Sequence, residues 1–133
     1  MIVDSSALVA ILKREPEREA FSALLESTPD VKTSAATYFE TSIVIDSLRD
    51  AVMSHLLDDL ITRSKIVIEP VTAEQARIAR QAYRDYGRGS GHAANLNFGD
   101  CFTYALAREK REPVLFKGDD FGHTDLRSAA QAG

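Results

Sequence analysis

Short segments of apolar and β-branched residues alternate along this chain with longer stretches whose apolar positions recur every three or four residues. The short segments are Ile2-Val3, Val31 to Ser34, Ile66 to Ile68 and Pro113 to Phe116, and each reads as a strand. Amphipathic helices are expected between them. Leu8, Val9, Ile11 and Leu12 mark the first, behind a cap at Ser5 and Ser6. Ala20, Phe21, Leu24 and Leu25 line the second, with Pro16 at a favourable first-turn position. A third helix, roughly Ala35 to Leu48, carries Phe39, Ile43 and Val44 on its apolar side. Val52, Met53, Leu56, Leu57, Leu60 and Ile61 give a fourth, completing an αα hairpin. Thr72 and Gln75 form a capping-box start for a helix to about Tyr86. The polar stretch before Gly99-Asp100 then turns into an apolar helix with Phe102, Ala105 and Leu106. Strands alternating with helices predict an α/β fold with a parallel sheet. The small, polar tail from Gly122 to Gly133 predicts a frayed end.

Composition narrows the class without naming a function. The 133 residues suit one domain, 1–133, with 44% hydrophobic and 27% charged residues, the balance of a soluble globular protein. One cysteine, Cys101, rules out an intrachain disulfide framework and a cysteine-based zinc site and fits a reducing cytosol. No apolar run approaches a membrane span and no signal pattern opens the chain, so a cytoplasmic location without membrane contact is expected. The formal net charge of −4 argues against indiscriminate nucleic-acid binding but leaves room for a local basic surface. Arg77, Arg80, Arg84 and Arg88 recur at three- and four-residue steps and lead into the loop before Asp100. That stripe is either a solvated helix face or a contact for a phosphate backbone.

The carboxylates carry the chemistry. Asp4 follows the first strand, Asp119-Asp120 follows the last, Asp100 opens a helix, and Glu40 lies on or beside an apolar helix stripe. Asp4 and Asp100 alone read as caps, whereas Glu40, leaning into a core, is costly unless paired or bound to a metal. In a parallel sheet with right-handed crossovers, however, these positions converge on one edge. Carboxylates gathered there repel one another unless cations neutralise them. With no cysteine or histidine at ligand spacing, oxygen ligands point to Mg²⁺, with Mn²⁺ able to substitute. A carboxylate-held Mg²⁺ that completes its shell with phosphate oxygens describes a phosphoryl-transfer site.

The residues around these acids resemble the PIN-domain ribonucleases of the VapC toxin type. The matching segments are Ile2-Val-Asp-Ser-Ser-Ala-Leu8, Glu40 in its helix, Leu96-Asn-Phe-Gly-Asp-Cys-Phe-Thr-Tyr-Ala-Leu-Ala107 and Leu115-Phe-Lys-Gly-Asp-Asp-Phe121. The similarity spans the chain and is most specific around Asp100. It implies a three-layer α/β/α PIN-like domain, Mg²⁺- or Mn²⁺-dependent RNA cleavage, a VapB-type antitoxin that blocks the site, and a homodimer. Carried over, Asp4, Glu40 and Asp100 are the acidic triad and Ser6 a supporting hydroxyl. Asp119 is the favoured fourth acid, with Asp120 close behind.

Other classes fit less well. A signalling receiver would want an acidic pair after the first strand and an aspartate ending the third, where Ile66-Val-Ile-Glu-Pro70 has none. A haloacid-dehalogenase-type phosphatase would want a second aspartate two residues after Asp4, and that residue is Ser6. A catalytically inert PIN-like module that binds RNA or protein is the alternative that the residues leave open.

Overall fold

The computed structural model describes residues 1–131. Its four strands are β1 (Ile2–Val3), β2 (Lys32–Ser34), β3 (Val67–Glu69) and β4 (Val114–Leu115). They form one parallel sheet in the order β3-β2-β1-β4. The helices are α1 (Ser5–Leu12), α2 (Arg18–Ser27), α3 (Ala35–Asp46), α4 (Ala51–Arg63), α5 (Ala73–Tyr86) and α6 (Phe98–Lys110). Strand order reverses at β1, whose neighbours are β2 on one side and β4 on the other. In open α/β sheets the crevice at such a reversal, beyond the carboxyl ends of the strands, is where sites are built.

Alternation along these short strands divides the core into layers. Val3 and Leu115 pack with α1, α2 and α4 through Leu8, Ile11, Phe21, Leu25, Leu57 and Ile61. Ile2 and Val114, facing the other way, pack against Leu106 and Ala107 of α6. A period of two thus turns two-residue strands into a wall buried on both faces, as an α/β/α sandwich requires. A third cluster, with Ala82, Leu96, Cys101, Tyr104 and Phe121, joins α5 to α6.

Several expected details differ. α3 was expected to bury Phe39 and Ile43, yet these are 65% and 54% exposed. Its buried face is Thr37, Thr41 and Ile45. Threonine can occupy that face because each hydroxyl is bonded, Thr41 Oγ1 to the Thr37 carbonyl at 2.8 Å and Thr37 to Thr103 Oγ1 at 3.1 Å. The third strand is an edge strand with Val67 and Ile68 substantially exposed. At the start of α5, Thr72 accepts from the Gln75 N–H, but the Gln75 side chain reaches Glu109 at 3.0 Å instead of closing the box. The tail is not uniformly frayed: Val114 N–H donates to the Arg127 carbonyl at 2.9 Å, beside β4. Its last two residues, 132–133, lie outside the described residues.

Candidate active site

Asp4 leaves β1 and is itself the N-cap of α1, so Ser5 and Ser6 stand in the first turn and are not the caps expected. Asp4 Oδ2 accepts from the Ser6 N–H at 3.0 Å and from Ser6 Oγ at 2.7 Å. Thr103 Oγ1, on α6, donates to Oδ1 at 2.6 Å. A carboxylate only 2% exposed is tolerable here because three donors replace its water. Ser6 Oγ also accepts from the Lys117 N–H at 3.0 Å, which ties the end of β1 to the segment after β4.

The capping serine vacated by Asp4 finds another use. Ser5 Oγ donates to Glu40 Oε1 at 2.8 Å, orienting the Glu40 side chain from the opposite helix. Burial raises the Glu40 pKa above its ordinary value, the Ser5 hydroxyl opposes the rise, and the charge of Asp4 adds to it. Gly99 makes room for this carboxylate. A Cβ there would lie 2.5 Å from the Glu40 carboxyl carbon, inside any real contact distance.

Asp100 lies in the first turn of α6 within a reciprocal cap. Asn97 Oδ1 accepts from the Asp100 N–H at 2.8 Å, and Asp100 Oδ2 accepts from the Asn97 N–H at 3.0 Å. Burial pushes its carboxyl up to about 6, against the lowering effect of the Asn97 N–H. The negative charges of Asp4, Asp120 and Glu40 push it the same way as burial. These acids therefore share one electrostatic neighbourhood. Of the adjacent pair it is Asp120, not the favoured Asp119, whose charge reaches Asp100. Asp120 opens the short 3₁₀ turn Phe121–His123 without a side-chain capping bond, so its carboxylate stays uncommitted.

Among the described residues, none of Asp4, Glu40, Asp100 and Asp120 forms an ion pair. Lys117, the nearest cation in sequence to Asp120, is drawn aside to Glu15 at 3.2 Å and Glu17 at 3.3 Å. Oxygen-only donors without a counter-charge fit a hard divalent cation. The same residues do not form a closed cage: no three potential ligand side chains converge ready for a metal among the described residues. An open set of this kind suits Mg²⁺, which keeps several waters and uses few carboxylates.

The basic stripe divides. Arg77 pairs with Glu74 at 3.4 Å and Arg84 lies exposed in the last turn of α5. Arg80 and Arg88 line a groove between α5 and α6 that also includes Asn97, the cap of the Asp100 helix.

Residues 1–126 match the PIN domain family. Ribonuclease VapC28 of Mycobacterium tuberculosis is 55% identical to this chain over 129 residues, 97% of each. The chain belongs to the VapC ribonuclease toxins of the PIN-domain family. Solved VapC-like folds agree with the architecture. M. tuberculosis VapC20, described as a sarcin-ricin loop cleaving toxin, superimposes with a TM-score of 0.73 over 94% of this chain and 95% of its own, at 20% identity. A toxin-antitoxin complex from Klebsiella pneumoniae gives 0.71 over 97% and 96%, at 17% identity. No helix of the described VapC chain is long and apolar enough to cross a membrane.

The sequence alone assigned no site role to four residues that border these acids: Ser5, Asn97, Gly99 and Thr103. Thr103 had a usable signal, since it follows Asp100 by three residues and shares its helix face. Asn97 carried the standard cap signal three residues before an acid.

Proposed function

We propose that this VapC chain is an Mg²⁺-dependent endoribonuclease, with Mn²⁺ able to substitute, that hydrolyses RNA phosphodiester bonds at Asp4, Glu40, Asp100 and Asp120. The observation that carries this reading is the group of mutually repelling carboxylates at the β1/β4 strand ends, free of ion pairs among the described residues. A bound divalent cation supplies Lewis-acid chemistry there, activating water and neutralising phosphate charge.

The protein's own residues supply the positioning. Asp4 is locked by Ser6 and Thr103 and forms the rigid floor of the site. Asp100 commits one oxygen to the Asn97 N–H and presents the other. Glu40 is held at Oε1 by Ser5 and offers Oε2, whose raised proton affinity suits it to receive a proton from the attacking water. Asp120 adds a fourth carboxylate from the far side of β1. Arg80 and Arg88, with Arg77 and Arg84 further along the stripe, attract and align the RNA backbone.

The partner expected of a toxin is a VapB-type antitoxin that places a cationic side chain among these carboxylates. The exposed apolar residues of the α3–α4 hairpin, including Phe39, Ile43 and Val52, supply surface for protein partners, the antitoxin or a second copy in a homodimer. One experiment tests the function directly: incubate the protein with total RNA and Mg²⁺, and sequence the new 5′ ends. Discrete ends that vanish with EDTA support the ribonuclease; intact RNA would leave an inert binding module.

A further inference from the structure

The groove between α5 and α6 holds more aromatic surface than a phosphate contact requires. It is about 660 Å³ and is lined by Ala76, Ala79, Cys101 and the rings of Tyr83, Phe98 and Phe102, with Arg80 and Arg88 among its walls. Phe98 is 79% exposed and Tyr83 49%. Exposed rings of this size are normally covered or used.

Each ring has one neighbour that orients it. Phe98 lies at an interplanar angle of 82° to Phe102 with centroids 4.9 Å apart, and most of its surface stays open to solvent. The Tyr83 hydroxyl donates to the Arg88 carbonyl at 2.9 Å, pinning the ring across the end of α5. Gly87 permits this, because a Cβ at that position would lie 2.5 Å from the ring. Among the described residues Arg80 and Arg88 form no ion pair, so their guanidinium groups are available to an anion.

The groove borders the first turn of the Asp100 helix. Asn97 lines it and is hydrogen-bonded in both directions to Asp100. Cys101 in its wall directly follows Asp100, the carboxylate assigned to phosphodiester cleavage. Exposed aromatic surface, two unpaired cations and adjacency to that carboxylate match the flat apolar base and charged backbone of a nucleotide. A second copy of this chain fits less well. A two-fold contact sets a patch against itself, here bringing cationic walls together.

Resting on the ribonuclease reading, we propose that this groove is a base-stacking subsite: it seats one unpaired nucleobase next to the scissile phosphate, on Phe98 and Tyr83, with Arg80 and Arg88 on the flanking phosphates. The enzyme then favours single-stranded RNA at that position, since a paired base must first be pulled from its stack.

Abasic scanning tests this. The oligonucleotide cut best from a random single-stranded RNA pool is remade with each nucleotide in turn lacking its base. Cleavage is then measured for the parent, Phe98→Ala and Phe98→Trp, all shown folded by thermal melts. The parent should lose on the order of 10- to 100-fold at one position beside the cleaved bond. Phe98→Ala should cut the intact oligonucleotide more slowly by a similar factor and ignore the missing base, while Phe98→Trp should restore the dependence. If the parent cleaves but Phe98→Ala keeps the same abasic profile, the subsite is wrong and the ribonuclease reading stands. The same profile with Phe98→Ala converting a dimer to a monomer in sedimentation would assign the groove to a second copy. A folded parent that cleaves no RNA would overturn both.

Discussion

Gly99 and Glu40 meet where α6 begins, and the absence of a side chain at Gly99 is what admits the Glu40 carboxylate. Gly99→Ala therefore acts on Glu40. The new methyl displaces a carboxylate at the end of a flexible side chain, so the fold should survive, and a better helix former offsets part of the strain. RNA cleavage should fall about tenfold or more, because small displacements in a catalytic constellation are costly. Shortening the displaced group with Glu40→Asp should recover part of the loss in the double variant. Cleavage rates of the two single variants and the pair, with melts as a folding control, check this; simple additivity would deny the contact its role.

Asp100 makes metal-free stability depend on pH. Its carboxyl is raised from 3.8 to about 6 in the folded protein. Between those values the native state keeps a proton that the unfolded chain has released, so stability falls as pH rises through that window. Two pH units correspond to at most ~3 kcal/mol, and solvent around this half-buried group reduces the effect to ~1–2 kcal/mol. Asp100→Asn should flatten this slope and, above about pH 7, melt higher than the metal-free parent. Its side-chain oxygen can still accept from the Asn97 N–H, so the cap is largely kept. Melting curves in EDTA across pH 4 to 8 decide the matter, and parallel slopes for the two proteins would count against the shared site.

Thr103 holds a carboxylate 99 residues away in sequence. Thr103→Val keeps the volume but removes the hydroxyl from both Asp4 and Thr37. With a buried carboxylate short of a donor, destabilisation of ~1.5–3 kcal/mol is expected. Thr103→Ser should retain most of the stability. Denaturant unfolding of the three proteins measures the difference.

The arginines should not be equivalent. Arg80→Gln or Arg88→Gln should weaken RNA binding and reduce its salt slope by ~0.7 for each lost phosphate contact. Arg77→Gln, whose side chain already pairs with Glu74, should change both less. Fluorescence anisotropy with a labelled single-stranded RNA over a range of salt concentrations reads both quantities.

Much of this site was legible in the sequence because it hangs on punctuation between elements. Ile2-Val3 ends on Asp4, Val114-Leu115 leads within a few residues to Asp120, and a glycine-marked loop opens the Asp100 helix. These local signals survive without knowledge of the packing. What escaped depends on tertiary partners. Phe39 and Ile43 looked like a core stripe, but the buried side of α3 is filled by Thr37 and Thr41; the Thr41 hydroxyl is satisfied within the helix, and that of Thr37 meets Thr103 only once α6 is in place. The Ser5 hydroxyl could not be assigned to Glu40 before the two helices were brought together. Asp119 and Asp120 are adjacent identical residues, and nothing local in the sequence separates them.

The central claim is that Asp100 belongs to a metal-using carboxylate group that cuts RNA. The most direct measurement is the initial rate of RNA cleavage by the parent and by Asp100→Asn at one Mn²⁺ concentration, with EDTA controls and melts that show both proteins folded. The parent should cleave only without EDTA, and the variant should be slower by about a hundredfold or more, since it loses a charged oxygen ligand while keeping its shape. Cleavage by folded Asp100→Asn at the parental rate would contradict the account.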